Sequence, residues 1–375
     1  MTSYTTTLSH VTFDQSTPPA TDDPMTSVSG SSITGDNDSD DERDVFLHGE
    51  NLKYISSLAP GITYLSVLIV LGLVGNTLVF VVYYRRYKPS VSRVYILAMA
   101  ACDFLNNVLV IPMHIVWVTF RVTFYATWGC KAIFVGSSAF VLFTMAILVA
   151  VAVDRQKVIC TDRPRALGSF RGAYKAVVIS ALFSLLGACF FAELAGDHII
   201  TFPHSNITGV GCATADKYQH TAFAKVYNAV LALVYIVCVT IIVVSYARIA
   251  RYLWQHQAST SSLYLRSRRT FPISNPPGAS VKPVPARTSL MLFVFTVVFI
   301  INYLPSLVVI FALDADPKTS EEDLKKNVRF IFLRWHFVNS VANPFVYSFF
   351  SCKFRNECRS LFGFTVERAL TTTCA

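Results

Sequence analysis

Seven runs of roughly twenty mainly apolar residues recur along the chain, at about 59–84, 93–119, 130–153, 174–195, 223–247, 288–313 and 328–350. A helix of about 20 apolar residues crosses a hydrocarbon core of about 30 Å. The pattern therefore predicts an all-α membrane protein, a seven-transmembrane helix bundle. Composition agrees: 53% of residues are hydrophobic and 15% charged, where soluble domains average about 25% charged. The first run, Gly61–Tyr84, carries no charge, the fourth is the shortest, and the seventh contains Arg334. Residues 1–50 hold no apolar leader core, so the first span is expected to act as an uncleaved signal anchor.

Charge sets the orientation. Residues 1–50 hold ten acids and one base, Arg43. Lys and Arg gather after the first span (Arg85, Arg86, Lys88, Arg93) and again after the third, fifth and seventh, and no acid occurs between Asp216 and Asp314. Basic connections stay cytoplasmic, which puts the amino terminus outside and the carboxyl terminus inside. The glycosylation sequons at Asn37 and Asn206 both fall on that outside. The net charge of +9 follows from this topology, so nucleic-acid binding is not expected.

Residues 1–52 are acidic and rich in Ser and Thr, and should be a disordered extracellular tail. Residues 53–362 should form the bundle and an interfacial helix. Within them, 256–286 contains five prolines and reads as a flexible cytoplasmic loop that cannot be continuous helix. Residues 363–375 should be a cytoplasmic tail. Around Ser351–Phe362, Phe350, Phe354, Leu361 and Phe362 share one face against Lys353, Arg355 and Arg359, the pattern of an amphipathic helix on the bilayer surface. Of nine cysteines, Cys130 and Cys212 fall on the oxidising side, which permits a bridge pinning the outer loop over the mouth of the bundle. Cys102, Cys189 and Cys238 read as small buried hydrophobes. Cys352 and Cys358 flank the interfacial helix and are acylation candidates.

An ionisable residue inside a span is a functional candidate. Asp103 lies mid-span among apolar neighbours, and a lone buried carboxylate must be protonated or paired. Asn76, Thr144, Asn339, Ser340 and Asn343 are the oxygens on offer. Such a donor set suits a hard cation such as Na⁺; it also makes a polar knot with no ion. Pro112, Pro305 and Pro344 each free a carbonyl and permit a kink. Asp154-Arg155 ends the third span. The acid can hold the guanidinium sideways until it is released, although a basic span end is also an ordinary anchor.

Taken in order, several motifs resemble the rhodopsin-like (class A) G-protein-coupled receptors over about 53–362. They are Gly75-Asn76, Leu97-Ala98-x-x-x-Cys102-Asp103, Cys130, Asp154-Arg155 24 residues later, Cys212, Tyr246, Phe299 with Pro305, Asn343-Pro344-x-x-Tyr347 and Phe354. The resemblance, of the peptide-receptor type, implies a plasma-membrane receptor coupling an extracellular ligand to a heterotrimeric G protein. It implies that Arg155 engages the G protein after the sixth span swings outward, with Tyr246 and Tyr347 as its active-state partners. It implies a Na⁺ pocket at Asp103, Thr144, Asn339, Ser340 and Asn343, and an outer disulfide between Cys130 and Cys212.

There are departures. Gln156 replaces the usual aromatic after Arg155, Tyr303 stands where a toggle Trp is usual, and Cys238 takes the place of a Pro. Pro285-Ala286-Arg287 offers no acid to lock Arg155, leaving Asp154 as its restraint, so raised ligand-independent signalling is expected. Amine receptors carry an Asp where this chain has Ser137, and opsins a Lys where it has Phe337, so neither ligand is expected. The candidate pocket combines His114, Ser137, Ser138 and Glu193 with Tyr303, Arg334 and His336. The mixture suits a neuropeptide; a lipid or other small non-amine molecule is the alternative. The second-span and loop patterns also resemble peptide receptors of the cholecystokinin and orexin type. A multi-pass transporter fits less well, since there is one strong buried acid and no internal repeat. No H-E-x-x-H or serine elbow points to an enzyme. Ser259–Ser262 and Thr371–Thr373 are phosphate acceptors that could recruit arrestin.

Overall fold

The computed structural model describes residues 35–160, 170–202, 205–219, 221–270, 286–312 and 323–363. The chain divides into two units, Met1–Glu42 and Arg43–Ala375. In the first, the described residues are helical from Gly35, the start of helix α1 (Gly35–Ser57). Residues 35–52 are thus ordered where the sequence predicted disorder. Acidic residues cluster at the start of α1, where the helix dipole favours them.

In the second unit, α2 (Ala59–Arg86), α3 (Val91–Thr119), α4 (Thr127–Cys160) and α5 (Phe170–Leu194) are each long and apolar enough to cross a membrane. A hairpin follows, β1 (Ala195–Thr201) antiparallel to β2 (Thr208–Thr214). The fifth span lies in α6 (Ala222–Thr270) and the sixth in α7 (Ala286–Ala312). The seventh is split into α8 (Asp323–Leu333) and α9 (Val338–Phe350), and α10 (Cys352–Leu361) ends the described chain.

Local sequence explains these boundaries. Pro60 opens α2, and Arg85 and Arg86 close it against the negative end of its dipole. Ser90 caps α3, accepting from the Arg93 amide at 3.2 Å. Just after Asp103, α3 widens into a π turn at Asn106–Val110, ahead of Pro112, which cannot donate to the helix ladder. α6 runs on to Thr270, so 256–270 is helical rather than loop. The first proline of that stretch is Pro272, after the end of the helix, and all five prolines lie outside the described residues.

The outward faces are apolar. Leu182, Leu186 and Phe190 of α5 and Val230, Leu233 and Ile236 of α6 are exposed, and only 22% of the α5 window is buried. Exposing a dozen such side chains to water would cost on the order of 20 kcal/mol at about 1.5–3 kcal/mol each, more than the whole stability of a typical domain. Those faces need lipid. The core runs inside, through Val79, Met99, Leu148, Phe295, Phe299 and Tyr347.

At one end, Cys130 of α4 is bonded to Cys212 of β2. There Val210 donates to the Val122 carbonyl at 2.9 Å and Phe124 to that of Val210 at 2.7 Å, tying the hairpin to the loop before α4. The part of α1 from Arg43 onward rests on this platform. Leu47 is wholly buried, and Asn51 donates to Thr123 Oγ1 at 2.8 Å while accepting from the Val122 amide at 3.0 Å. At the other end, Ser351 caps α10 by accepting from the Phe354 amide at 3.1 Å. Phe354 is a core residue, 5.9 Å from Tyr83 and 6.0 Å from Tyr347 by ring centroid. Phe350 and Phe362 are exposed, so the predicted common face of α10 is split between core and surface.

Candidate functional site

Three layers of polar residues lie along the bundle. The middle one is built on proline. Pro344 in α9 has no N–H, so the Ser340 carbonyl, four residues earlier, loses its helical partner. Asn76 of α2 replaces it, donating to Ser340 O at 2.7 Å and to Gly72 O at 2.9 Å. Gly75 makes the approach possible: a Cβ there would stand 2.7 Å from Pro344 Cγ. The Gly75-Asn76 pair thus admits α9 with one residue and satisfies it with the next.

Asp103 is buried beside this contact, and Asn343 Nδ2 donates to its Oδ2 at 2.6 Å. Asn107 donates to the Asp103 backbone carbonyl at 2.6 Å. A cavity of about 20 Å³ adjoins, lined by Asp103, Asn106, Thr144, Asn339 and Ser340 among others. That is room for about one water or a small ion. Asn106 lines it, and its Oδ1 is buried and without a hydrogen-bond partner. A carboxylate, an orphaned amide oxygen and hydroxyls fit a hard cation. Sequence reading brought forward Asp103, Thr144, Asn339, Ser340 and Asn343 but missed Asn106. The Asn106-Asn107 pair, just after Asp103 within the span, carries no charge to single it out.

Toward the disulfide end the same cavity is bounded by Ser137, Tyr303 and His336. Ser137 donates to Ile133 O at 2.7 Å, so its oxygen, 2.8 Å from His114 Nε2, accepts from that ring. Tyr303 stacks on Phe299 at 5.9 Å and on Tyr235 at 5.0 Å, and meets the His336 ring at 6.2 Å. Ser306 Oγ accepts from the His336 amide at 3.3 Å, tying α7 to the break between α8 and α9. Ser138 is spent on the Phe134 carbonyl of its own helix, at 2.7 Å. Arg334 stands at that break and is buried. Glu193 does not join the pocket. Its side chain is 53% exposed and accepts from Lys217 at 2.8 Å and Tyr218 at 2.6 Å, because the end of α5 turns it toward the short Asp216–Gln219 helix.

At the far end of α4, Arg155 is buried and paired with Asp154 at 2.9 Å, while its Nε has no partner. Tyr347 is packed among Tyr83, Phe295 and Phe354, its nearest ring centroid 4.7 Å away and its buried hydroxyl without a partner. Tyr246 meets Phe293 at 5.1 Å. Tyr246 packs against the same core cluster that holds Tyr347, while Arg155 is engaged by Asp154. The side chain of Arg287 falls outside the described set, as does that of Asn37; Asn206 is exposed.

The family model described as 7 transmembrane receptor (rhodopsin family) matches residues 75–347. Neuropeptide FF receptor 1 of Rattus norvegicus is 28% identical over 306 residues, 78% of this chain and 67% of its own length. The Homo sapiens neuropeptide FF receptor 1 is 26% identical over 316 residues, 79% of this chain and 68% of its own length. Neuropeptide FF receptor 2 of Mus musculus is 25% identical over 317 residues, 80% of this chain and 72% of its own length.

Proposed function

The chain belongs to the rhodopsin family of seven-transmembrane receptors, and on that footing we propose that a neuropeptide is its extracellular agonist and a heterotrimeric G protein its cytoplasmic partner. The disulfide end faces outward and the Arg155 end inward, as the basic connections require.

The observation that carries this reading is a restrained Arg155 together with a withheld Tyr347. Among the described residues one is paired with its neighbour Asp154, and the other has a hydroxyl without a partner. Both groups gain partners only if the inner half of the bundle opens. An agonist reaching Tyr303 and His336 displaces the Phe299–Tyr303 stack. α7 then bends at Pro305, where the helix already lacks a hydrogen bond. Asp154 releases Arg155, and the guanidinium fork becomes available to the G protein. Asp103, Asn106, Thr144, Asn339 and Ser340 would hold Na⁺, which when bound supplies a counter-charge to Asp103.

Cys352 is the better acyl acceptor of the two candidates. Arg355 donates to its sulfur at 2.9 Å, whereas Cys358 packs against the core and burial pushes its thiol up. Phosphate on Ser259–Ser262, which lie on the inner extension of α6, would recruit arrestin.

The reading is tested by exposing cells that express the chain to neuropeptide FF and a panel of short peptides, with G-protein sensors as readout. A peptide response that Arg155→Ala removes is expected. A receptor at the surface that responds only to lipids would replace the ligand class.

A further inference from the structure

Arg334 is a buried cation with no carboxylate beside it among the described residues. It is 5% exposed and stands where the seventh span breaks, its amide reaching back three residues to Ile331 O at 3.0 Å. The guanidinium carbon lies 3.8 Å from the Phe330 ring centroid and 4.8 Å from that of Trp117. Nη1 has only a long 3.5 Å contact with the Phe330 carbonyl of its own turn, and Nε has no partner. Among the described residues no acid pairs with it. The candidate closest in role, Glu193, is committed to Lys217.

The surroundings are fixed. Trp117 Nε1 donates to the Cys212 carbonyl at 2.8 Å, so the indole is anchored to the disulfide. Tyr64 donates to the Arg334 carbonyl at 3.3 Å. Arg121 places a second positive charge over the same indole, at 5.9 Å. His336, two residues on, lines the central cavity.

An uncompensated cation inside a span is costly, and a protein that keeps one has a partner for it. From these contacts we infer that Arg334 is the receptor for a carboxylate carried by the agonist; the inference rests on the receptor reading above. The two rings lie against the guanidinium, whose planar fork suits the two-oxygen edge of a carboxylate. The carboxylate comes either from a peptide, at an acidic side chain or a free terminus, or from a fatty acid.

The test uses the full receptor in nanodiscs and in cells. Arg334→Met keeps the volume and removes the charge, and Arg334→Lys keeps the charge and loses the fork. If Arg334 awaits a ligand, Arg334→Met should unfold at a temperature no lower than wild type. The probes are short peptides with free carboxylates and long-chain fatty acids, each paired with its amide. On wild type, acids should exceed their amides by about thirtyfold or more. Arg334→Met should erase that preference, and Arg334→Lys should keep part of it. A clearly lower unfolding temperature for Arg334→Met, equal potency of acid and amide, or silence to both probe classes would overturn the site. Responses to fatty acids alone would leave the site standing and remove the neuropeptide.

Discussion

At the residue scale the sharpest device is the Asn76–Ser340 bond, because it repairs a defect that Pro344 creates. Asn76→Ala should lower stability by about 1–3 kcal/mol, the cost of leaving a buried carbonyl unpaired. The effect should shrink in a Pro344→Ala background, where the helix again supplies a donor; thermal unfolding of the two single variants and the double variant measures it. Asp103 yields a second prediction. If it shares its cavity with Na⁺, replacing NaCl by choline chloride should change agonist affinity in wild type and not in Asp103→Asn, read by radioligand binding. A third concerns Glu193, which faces Lys217 rather than the pocket. Glu193→Gln should leave agonist potency within about threefold, in keeping with the small worth of an exposed ion pair. Asp103 was legible in the sequence because an acid in an apolar run stands out. Asn106 was not, since an amide beside another amide carries no charge to betray its burial. Glu193 misled for the opposite reason: a charge near a span end says nothing about which way the helix end turns.

At the scale of elements, apolar run length located each helix that carries a span, since about twenty apolar residues are hard to read any other way, but not where helices such as α4 and α6 end beyond the apolar run. What the runs could not show was structure built by tertiary contact. The hairpin β1–β2 has glycines in both strands and little alternation, and its register follows from Cys212 and from pairing with Val122 and Phe124. The outer part of α1 sits in an acidic, polar stretch that reads as disorder, and it is held by Leu47 and Asn51. Its docking predicts that Asn51→Ala speeds amide exchange in residues 45–57 without altering exchange in α4. The split of the seventh span at Arg334 was also hidden, because no proline or glycine marks it.

At the scale of the molecule, the inner end is closed by few restraints. Among the described residues Arg155 has one acid, its neighbour, and α7 meets α6 through the Tyr235–Tyr303 and Tyr246–Phe293 ring pairs and a long bond from the Tyr235 hydroxyl to the Ile300 carbonyl. Stacked aromatic pairs are worth only about 0.5–1.5 kcal/mol beyond their burial. Such a bundle should open at times without agonist, since a gap of a few kcal/mol leaves a minor state populated at about 0.1–10%. The direct measurement is basal activation across a panel of G-protein sensors, comparing wild type with Arg155→Ala at equal surface expression. A basal signal in wild type that the variant abolishes is the predicted result. Equal signals from the two would contradict Arg155 as the coupling residue and Asp154 as a weak latch.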